Sequence, residues 1–381
     1  MVRKSFILNF SMIQSKAAVF QGINQPLLVT QIEVDDPKVG EVLIKLDATG
    51  LCHTEIWYMS GGDTTTRANS ILGHEGCGTV VKVGEGVSEF KPGDRVVPIY
   101  IPECGHCREC LGGESNLCST LDDAYFGGSM NDGTMRFHRD GEDLHHFMLT
   151  STFSQYTVVH QEALAKVRDD APAHVAALFG CAVTTGIGAA LYTSKVKAGS
   201  KCAVFGVGPI GLNVLQGCKL AGAEMIIAVD LNDARLERAR EFGATHTINP
   251  TNGDSVKMVK ELTGGGADYT FEATGNTKVM TQALEAAIYG GGVCCLIGVA
   301  KTGETMEITP RLLIAGRKLI GTAFGGCRGK TQLPELIDLY MDGKVKVDEL
   351  ITEVIPLERI NEAFEDMKRD SGYRYVVDYS L

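Results

Sequence analysis

The chain has 381 residues, 44% hydrophobic and 22% charged, enough material for two cores. Its formal net charge of -11 repels phosphate backbones and argues against nucleic acid as a partner. No apolar run approaches the ~20 residues of a membrane helix, so a membrane is not expected either.

The start, MVRKSFILNFS, has two basic residues and an apolar run too short for a signal peptide, with no small-residue cleavage site after it. Met12 offers a second start, and residues 1–11 read as a weakly held arm. Twelve cysteines without a secretory signal point to a reducing compartment, the cytoplasm, where thiols are metal ligands or core residues.

Residues 16–100 run through short β segments (KAAVF, LLVTQIEV, EVLIKLDATG, GTVVKVG, DRVVPIY) punctuated by glycine turns, the pattern of a compact barrel-like β domain. Then comes ECGHCRECLGGESNLC, with Cys104, Cys107, Cys110 and Cys118. The compartment disfavours disulfides, and a thioredoxin-like pair needs a CxxC that opens a helix. An iron–sulfur cluster is the rival reading, but its usual run sets the fourth cysteine nearer and follows it with proline. A structural Cys₄ zinc fits best: Gly105, Gly112 and Gly113 permit the turns, and the ion staples a lobe, about residues 100–120, that has little core.

Residues 119–150 form a polar insertion without a clear period, and STFSQYTVVHQEALAKV returns to strand character. From about Pro172 the text changes. HVAALFGCAVTTGIGAALYTSK is helix-like, and CAVFGVGPIGLNVLQGCKLAG, MIIAVDLNDARLERAREFGA, THTIN, YTFEATG and GGVCCLIGVA alternate strands with helices. That alternation predicts an α/β doubly wound parallel sheet. After Phe324 the order is helix, strand, helix, strand, a tail long enough to return to the first domain.

Gly206, Gly208, Ile210 and Gly211 lie in GVGPIG, directly after a strand and opening a helix, with Asp230 ending the next strand. This is a dinucleotide fingerprint: a glycine for the turn, one for approach to the pyrophosphate, one for helix–strand packing. Asp230 should accept from the ribose hydroxyls and repel a 2′-phosphate, favouring NAD; Arg235 keeps NADP open. Cys52, His74 and Cys181 offer two thiolates and an imidazole from three distant segments. Spacing alone does not bring them together, and Cys181 reads first as a core thiol. Cys77, Cys202, Cys218, Cys294, Cys295 and Cys327 read as core or surface thiols.

GHExxG at 73–78 followed by Gly84 and Val87, Cys-His-Thr at 52–54, the cysteine quartet, GCAVTTG at 180–186, STFSQYTVV at 151–159 and GTAFGG at 321–326 together resemble the zinc-dependent medium-chain alcohol dehydrogenases. Within that family the text is most similar to class III, which oxidises the adduct of formaldehyde with glutathione. The resemblance runs from about Lys16 to Val377. It implies a GroES-like β-rich catalytic domain from residues 1–181 and 325–381, and a Rossmann domain from 182–324. It also implies two zinc ions per chain: one structural, and one catalytic ion held by Cys52, His74 and Cys181 with Glu75 close by. Thr54 matches the hydroxyl that bonds the alcohol, and His53 a phosphate-binding position open to proton relay. Arg374 matches a residue that meets the pyrophosphate, and the Val299 backbone one that meets the nicotinamide. Glu55 stands where the family has an aspartate orienting the zinc-bound histidine, and Trp57 where liver-type members have a relay histidine.

The substrate reading departs from class III. Asp63 matches, but the arginine that holds the adduct's carboxylate aligns with Asp122, and the acidic residue two after Asp63 is Thr65. A general NAD-dependent oxidation of primary alcohols to aldehydes, in a pocket with Tyr100 and Trp57, therefore ranks first and the glutathione adduct second. A zinc-free C=C reductase and a non-catalytic NAD-binding protein are minor alternatives. CLIGVA and KLIGTAF are apolar enough to lie at a sheet edge, and the resemblance implies that this edge pairs across a two-fold axis in a homodimer, with a tetramer possible.

Overall fold

The computed structural model describes residues 12–63, 65–369 and 372–381. The arm expected at residues 1–11 lies outside them.

The first half begins with β1 (Ile13–Phe20), β2 (Leu28–Val34) and β3 (Glu41–Gly50). The short helix α1 (His53–Met59) follows, then β4 (Ser70–Ile71), β5 (Glu75–Val83) and β6 (Arg95–Pro98). The cysteine lobe adds α2 (Arg108–Leu111). The polar insertion is ordered: it forms α3 (Asp122–Gly127) and a hairpin of β7 (Phe137–Arg139) and β8 (Glu142–Leu144). Asp140 and Gly141 turn that hairpin at φ 56° and 84°, the positive-φ pair a two-residue loop requires. β9 (Tyr156–His160) and β10 (Leu164–Lys166) complete this half.

Two sheets result, one in the order β4-β1-β2-β7-β8, the other running β10-β6-β5-β3. β3 is central, so Val42, Leu43, Ile44 and Leu46 are all buried, and the strand reads as an apolar run rather than an alternation. β9 pairs with its first half.

The second region opens with α4 (Ala173–Leu178) and α5 (Ala182–Gly188), separated by a break at Cys181. Strands and helices then alternate: β11 (Lys201–Phe205), α6 (Pro209–Leu220), β12 (Met225–Val229), α7 (Asp233–Glu241), β13 (His246–Ile248) and α8 (Ser255–Thr263). After them come β14 (Tyr269–Glu272), α9 (Thr277–Ala286), β15 (Val293–Leu296), α10 (Arg311–Ile314) and β16 (Lys318–Gly321). Asn232, Asp254 and Asn276 cap α7, α8 and α9, each side chain accepting from two backbone N–H groups. All neighbours in the sheet are parallel, in the order β13-β12-β11-β14-β15-β16. The order reverses between β11 and β14, which opens a crevice beyond their carboxyl ends.

Of the two expected edge strands only KLIG is one. β15, within CLIGVA, pairs with β14 on one side and β16 on the other. Its apolar text reflects burial inside the sheet, where Cys294 and Cys295 are fully covered.

The tail contributes α11 (Gly329–Met341), β17 (Ile351–Ile355), α12 (Ile360–Lys368) and β18 (Arg374–Asp378). β18 pairs antiparallel with the second half of β3, Val376 opposite Gly50. The last strand therefore lies beside the strand that delivers Cys52. Among the described residues no helix is long and apolar enough to cross a membrane.

Candidate active site

Cys52 caps α1 at the end of β3, His74 and Glu75 stand at the entry to β5, and Cys181 occupies the break between α4 and α5. One ligand atom from each of these four residues lies within 4.8 Å of the others, and all four residues are buried. The fold thus brings together what spacing could not.

Glu55, the third residue of α1, ties the group together. One carboxylate oxygen accepts from the Cys52 backbone N–H at 3.0 Å, and the other lies 2.5 Å from His74 Nδ1. The longer arm of glutamate reaches both partners. It fixes the imidazole and leaves Nε2, buried and without a hydrogen-bond partner, for an ion.

The charges are arranged to favour thiolate. A hydrogen bond from Cys181 draws the Cys52 thiol well below its usual pKa against the effect of burial, with Arg374 and His74 adding to the pull. The same bond, together with burial, pushes Cys181 up. Burial raises Glu75 to about 8, moderated by Arg374. Burial opposes a charge on His74, but Glu55 and Cys52 outweigh it and lift its pKa. The Cys52 and Cys181 sulfurs and the unpartnered His74 Nε2 thus stand together as buried donors, with the Glu75 carboxyl beside them. Two thiolates and an imidazole with an open fourth position are the donor set of alcohol dehydrogenase catalytic zinc, and the residues here fit that ion.

Arg374 is 2% exposed. Its Nη1 donates to the Leu51 carbonyl at 2.7 Å and its Nη2 lies 3.3 Å from Glu75 Oε1. The expected pyrophosphate residue is thus first the counter-charge behind the donor group. Thr54 Oγ1 lies 3.5 Å from Cys52 Sγ. His53 reaches the surface; crowding lowers its pKa against the pull of the Cys52 charge, and Arg374 and Arg235 lower it further. Tyr100 meets His74 edge-on, with ring centroids 5.7 Å apart, and Phe324 at 5.0 Å. Trp57 lies against Gly62, where a Cβ would come 2.4 Å from its ring.

In the lobe, Cys104 and Cys110 sulfurs are 3.8 Å apart and Cys107 and Cys118 sulfurs 3.7 Å. A tetrahedron with Zn–S bonds of about 2.3 Å has edges of about 3.8 Å, so the cage suits one ion and is too tight for a cluster of four irons. Backbone N–H groups of His106 and Cys107 donate to Cys104 Sγ, and that of Cys110 to Cys107 Sγ.

At the crevice, Gly206 has φ 86°, and a Cβ on Gly211 would stand 1.9 Å from the Gly206 carbonyl oxygen. Gly208 caps α6 facing open space, and Ile210 lies in the first turn. Asp230 ends β12 and accepts from the Val207 N–H at 2.9 Å and the Asn232 N–H at 3.0 Å. Val299, 72% exposed, holds its carbonyl against Gly275 at the far side of the crevice.

Several neighbours escaped the sequence reading. Phe147 packs 6.3 Å from His74, and the Tyr125 hydroxyl, raised above all by burial, also feels Asp63, Cys181 and Asp122. Arg67 runs beside Gly128, at the end of α3. No spacing rule links these loops, although the Asp140-Gly141 turn signalled that the insertion was folded.

The chain matches the family described as "Alcohol dehydrogenase GroES-like domain" over residues 38–169 and "Zinc-binding dehydrogenase" over residues 209–342. It is 48% identical over 375 residues to S-(hydroxymethyl)glutathione dehydrogenase of Paracoccus denitrificans, covering 96% of this chain and 100% of that one. It is 48% identical over 374 residues to alcohol dehydrogenase class-3 of Cereibacter sphaeroides, with the same coverage. Among solved structures, benzyl alcohol dehydrogenase from Acinetobacter calcoaceticus superposes with a TM-score of 0.90 at 31% identity, over 96% of this chain and 99% of that one.

Proposed function

The chain belongs to the zinc-dependent medium-chain alcohol dehydrogenases, on the class III branch, and from that premise we propose that it oxidises S-(hydroxymethyl)glutathione with NAD. The observation that carries this reading is whole-length identity of 48% to two relatives, one named for that adduct and one for the class. It reverses the order suggested by Asp122 and Thr65. One loop position weighs less than 96% of the chain.

In this reading residues 1–181 and 325–381 form the catalytic domain, with the zinc lobe at about 100–120, and 182–324 the coenzyme domain. Cys52, His74 and Cys181 hold the catalytic zinc, with Glu75 beside it, and Cys104, Cys107, Cys110 and Cys118 the structural one. When bound, zinc supplies Lewis acidity that makes the alcohol a stronger acid, and NAD accepts the hydride. Thr54 accepts the hydroxyl proton as it hands its own hydroxyl hydrogen on, and His53 passes a proton to solvent, since Trp57 carries no titratable group. Tyr100, Phe147 and Phe324 exclude water around His74. Glu55 keeps the imidazole in place, and Arg374 balances Glu75. Asp230 selects NAD by repelling a 2′-phosphate, with Arg235 at the ribose. Gly206, Gly208, Ile210 and Gly211 cradle the pyrophosphate, and Val299 meets the nicotinamide. The edge strand β16 pairs across a two-fold axis in a homodimer, and the free thiols suit the cytoplasm.

A second reading, oxidation of plain primary alcohols, keeps the support of Asp122 and Asp123 at the head of α3. The test is kcat/KM for hydroxymethyl-glutathione, octanol and cinnamyl alcohol with NAD and NADP in parallel. Adduct turnover with NAD far above the rest is expected; octanol or cinnamyl alcohol in the lead would restore the second reading.

A further inference from the structure

The expected cation is missing from the loop after Cys118, yet the structure brings one there from elsewhere. Arg67 lies four residues past Asp63, between α1 and β4. Its backbone N–H donates to Tyr58 Oη at 2.8 Å and its Nη1 to the Thr65 carbonyl at 3.1 Å. Its stem passes the end of α3, with Cδ 3.6 Å from where a Cβ on Gly128 would stand. The side chain is half-buried, and among the described residues no carboxylate pairs with it.

This position is connected to the metal group. Tyr58 packs edge-on to Phe147 at 4.8 Å, and Phe147 to His74 at 6.3 Å. Tyr125, in α3, feels the charges of Asp63, Cys181 and Asp122. Asp63 is engaged locally, its Oδ1 accepting from the Thr65 N–H at 2.7 Å and the Thr65 hydroxyl at 2.9 Å. Arg67 and Asp63 stand on the α1–β4 segment and Asp122 heads α3, so a substrate whose CH₂OH reaches Cys52, His74 and Cys181 and whose tail runs out between these segments meets one guanidinium and two carboxylates. A guanidinium binds a carboxylate through a fork of parallel N–H bonds, and the two acids suit an ammonium group. The far end of a glutathione adduct carries both kinds of charge.

We propose that Arg67 takes the distal carboxylate of the substrate, making it a specificity-determining residue supplied by the α1–β4 segment in place of the absent one. The proposal rests on the adduct reading, so its test includes a pair of substrates independent of glutathione. The measurement is kcat/KM of wild type, R67Q and R67K on hydroxymethyl-glutathione and octanol, and on 12-hydroxydodecanoate and 1-dodecanol. In R67Q the adduct/octanol and hydroxy-acid/alcohol ratios both fall about tenfold, chiefly through KM, and R67K restores part of each. Using ratios within one variant removes any general loss of fold. If wild type leaves the adduct unused, the adduct reading fails, and the hydroxy-acid/alcohol ratio still decides on Arg67. An unchanged hydroxy-acid/alcohol ratio in R67Q overturns the proposal.

Discussion

The cysteine lobe and the active-site group each gather donors within 4.8 Å of one another, but by different means. In the lobe, Cys104 to Cys118 are neighbours in sequence, only partly covered apart from Cys118, and steadied by their own backbone N–H groups. At the active site the donors come from positions 52, 74 and 181, are fully enclosed, and are steadied by the side chains of Glu55 and Arg374. The lobe's geometry is local and holds a loop in place. The active-site geometry belongs to the whole fold, which already gathers the sulfurs and orients the imidazole. The first should therefore respond to ligand loss in stability, the second in activity.

The largest effect tests the second half of that contrast. Cys52→Ser should lower kcat/KM by at least about a thousandfold, ~4 kcal/mol of lost transition-state stabilisation, with little change in thermal midpoint. A midpoint that falls as far as activity does would erase the distinction. Glu55→Gln keeps a group of equal length but removes the charge behind His74. A loss of about 10–100-fold in metal affinity or activity is expected by steady-state assay and metal titration. Cys107→Ser should act the other way, lowering Tm by about 5–10 °C while the folded fraction retains most of its kcat.

Legibility divides along the same line. The lobe was readable because its four ligands fall in one stretch, and its 3.7–3.8 Å sulfur spacings match the edge of a tetrahedron around one ion. The parallel sheet was readable because strands and helices alternate from Pro172 onward, and the dinucleotide site because GVGPIG and Asp230 come at fixed offsets along one βαβ unit. Cys52, His74 and Cys181 were not, since their meeting depends on β3, β5 and the α4–α5 break converging, and only resemblance suggested it. Glu55 is one methylene longer than the aspartate the family has there, and its two oxygens serve two partners. Arg67 was not legible because it lies outside the loop after Cys118 and meets the end of α3 only through packing of the segment after α1.

The smallest effect lies outside both sites. His146 is buried against Phe137, with ring centroids 4.6 Å apart, and its Nε2 accepts from the Arg136 N–H at 3.2 Å. Burial, and then the Arg136 charge, hold its pKa down at about 3. Below about pH 6.5 the unfolded chain binds a proton there that the native state refuses, so stability falls as pH drops through that window toward 3. His146→Gln should flatten the dependence of unfolding free energy on pH by up to about 1.4 kcal/mol per unit between those limits, read from denaturant titrations. An unaltered slope would mean that His146 is not the group resisting acid.

Zinc counting by mass spectrometry of the native chain, alongside its Cys52→Ser and Cys107→Ser variants, is the most direct test that distant side chains build a second ion site. Two ions in wild type and one in each variant, with turnover lost only where the buried ion is lost, is the expected result. A single ion in wild type, or a Cys52→Ser variant that still holds two and still turns over alcohol, would contradict it.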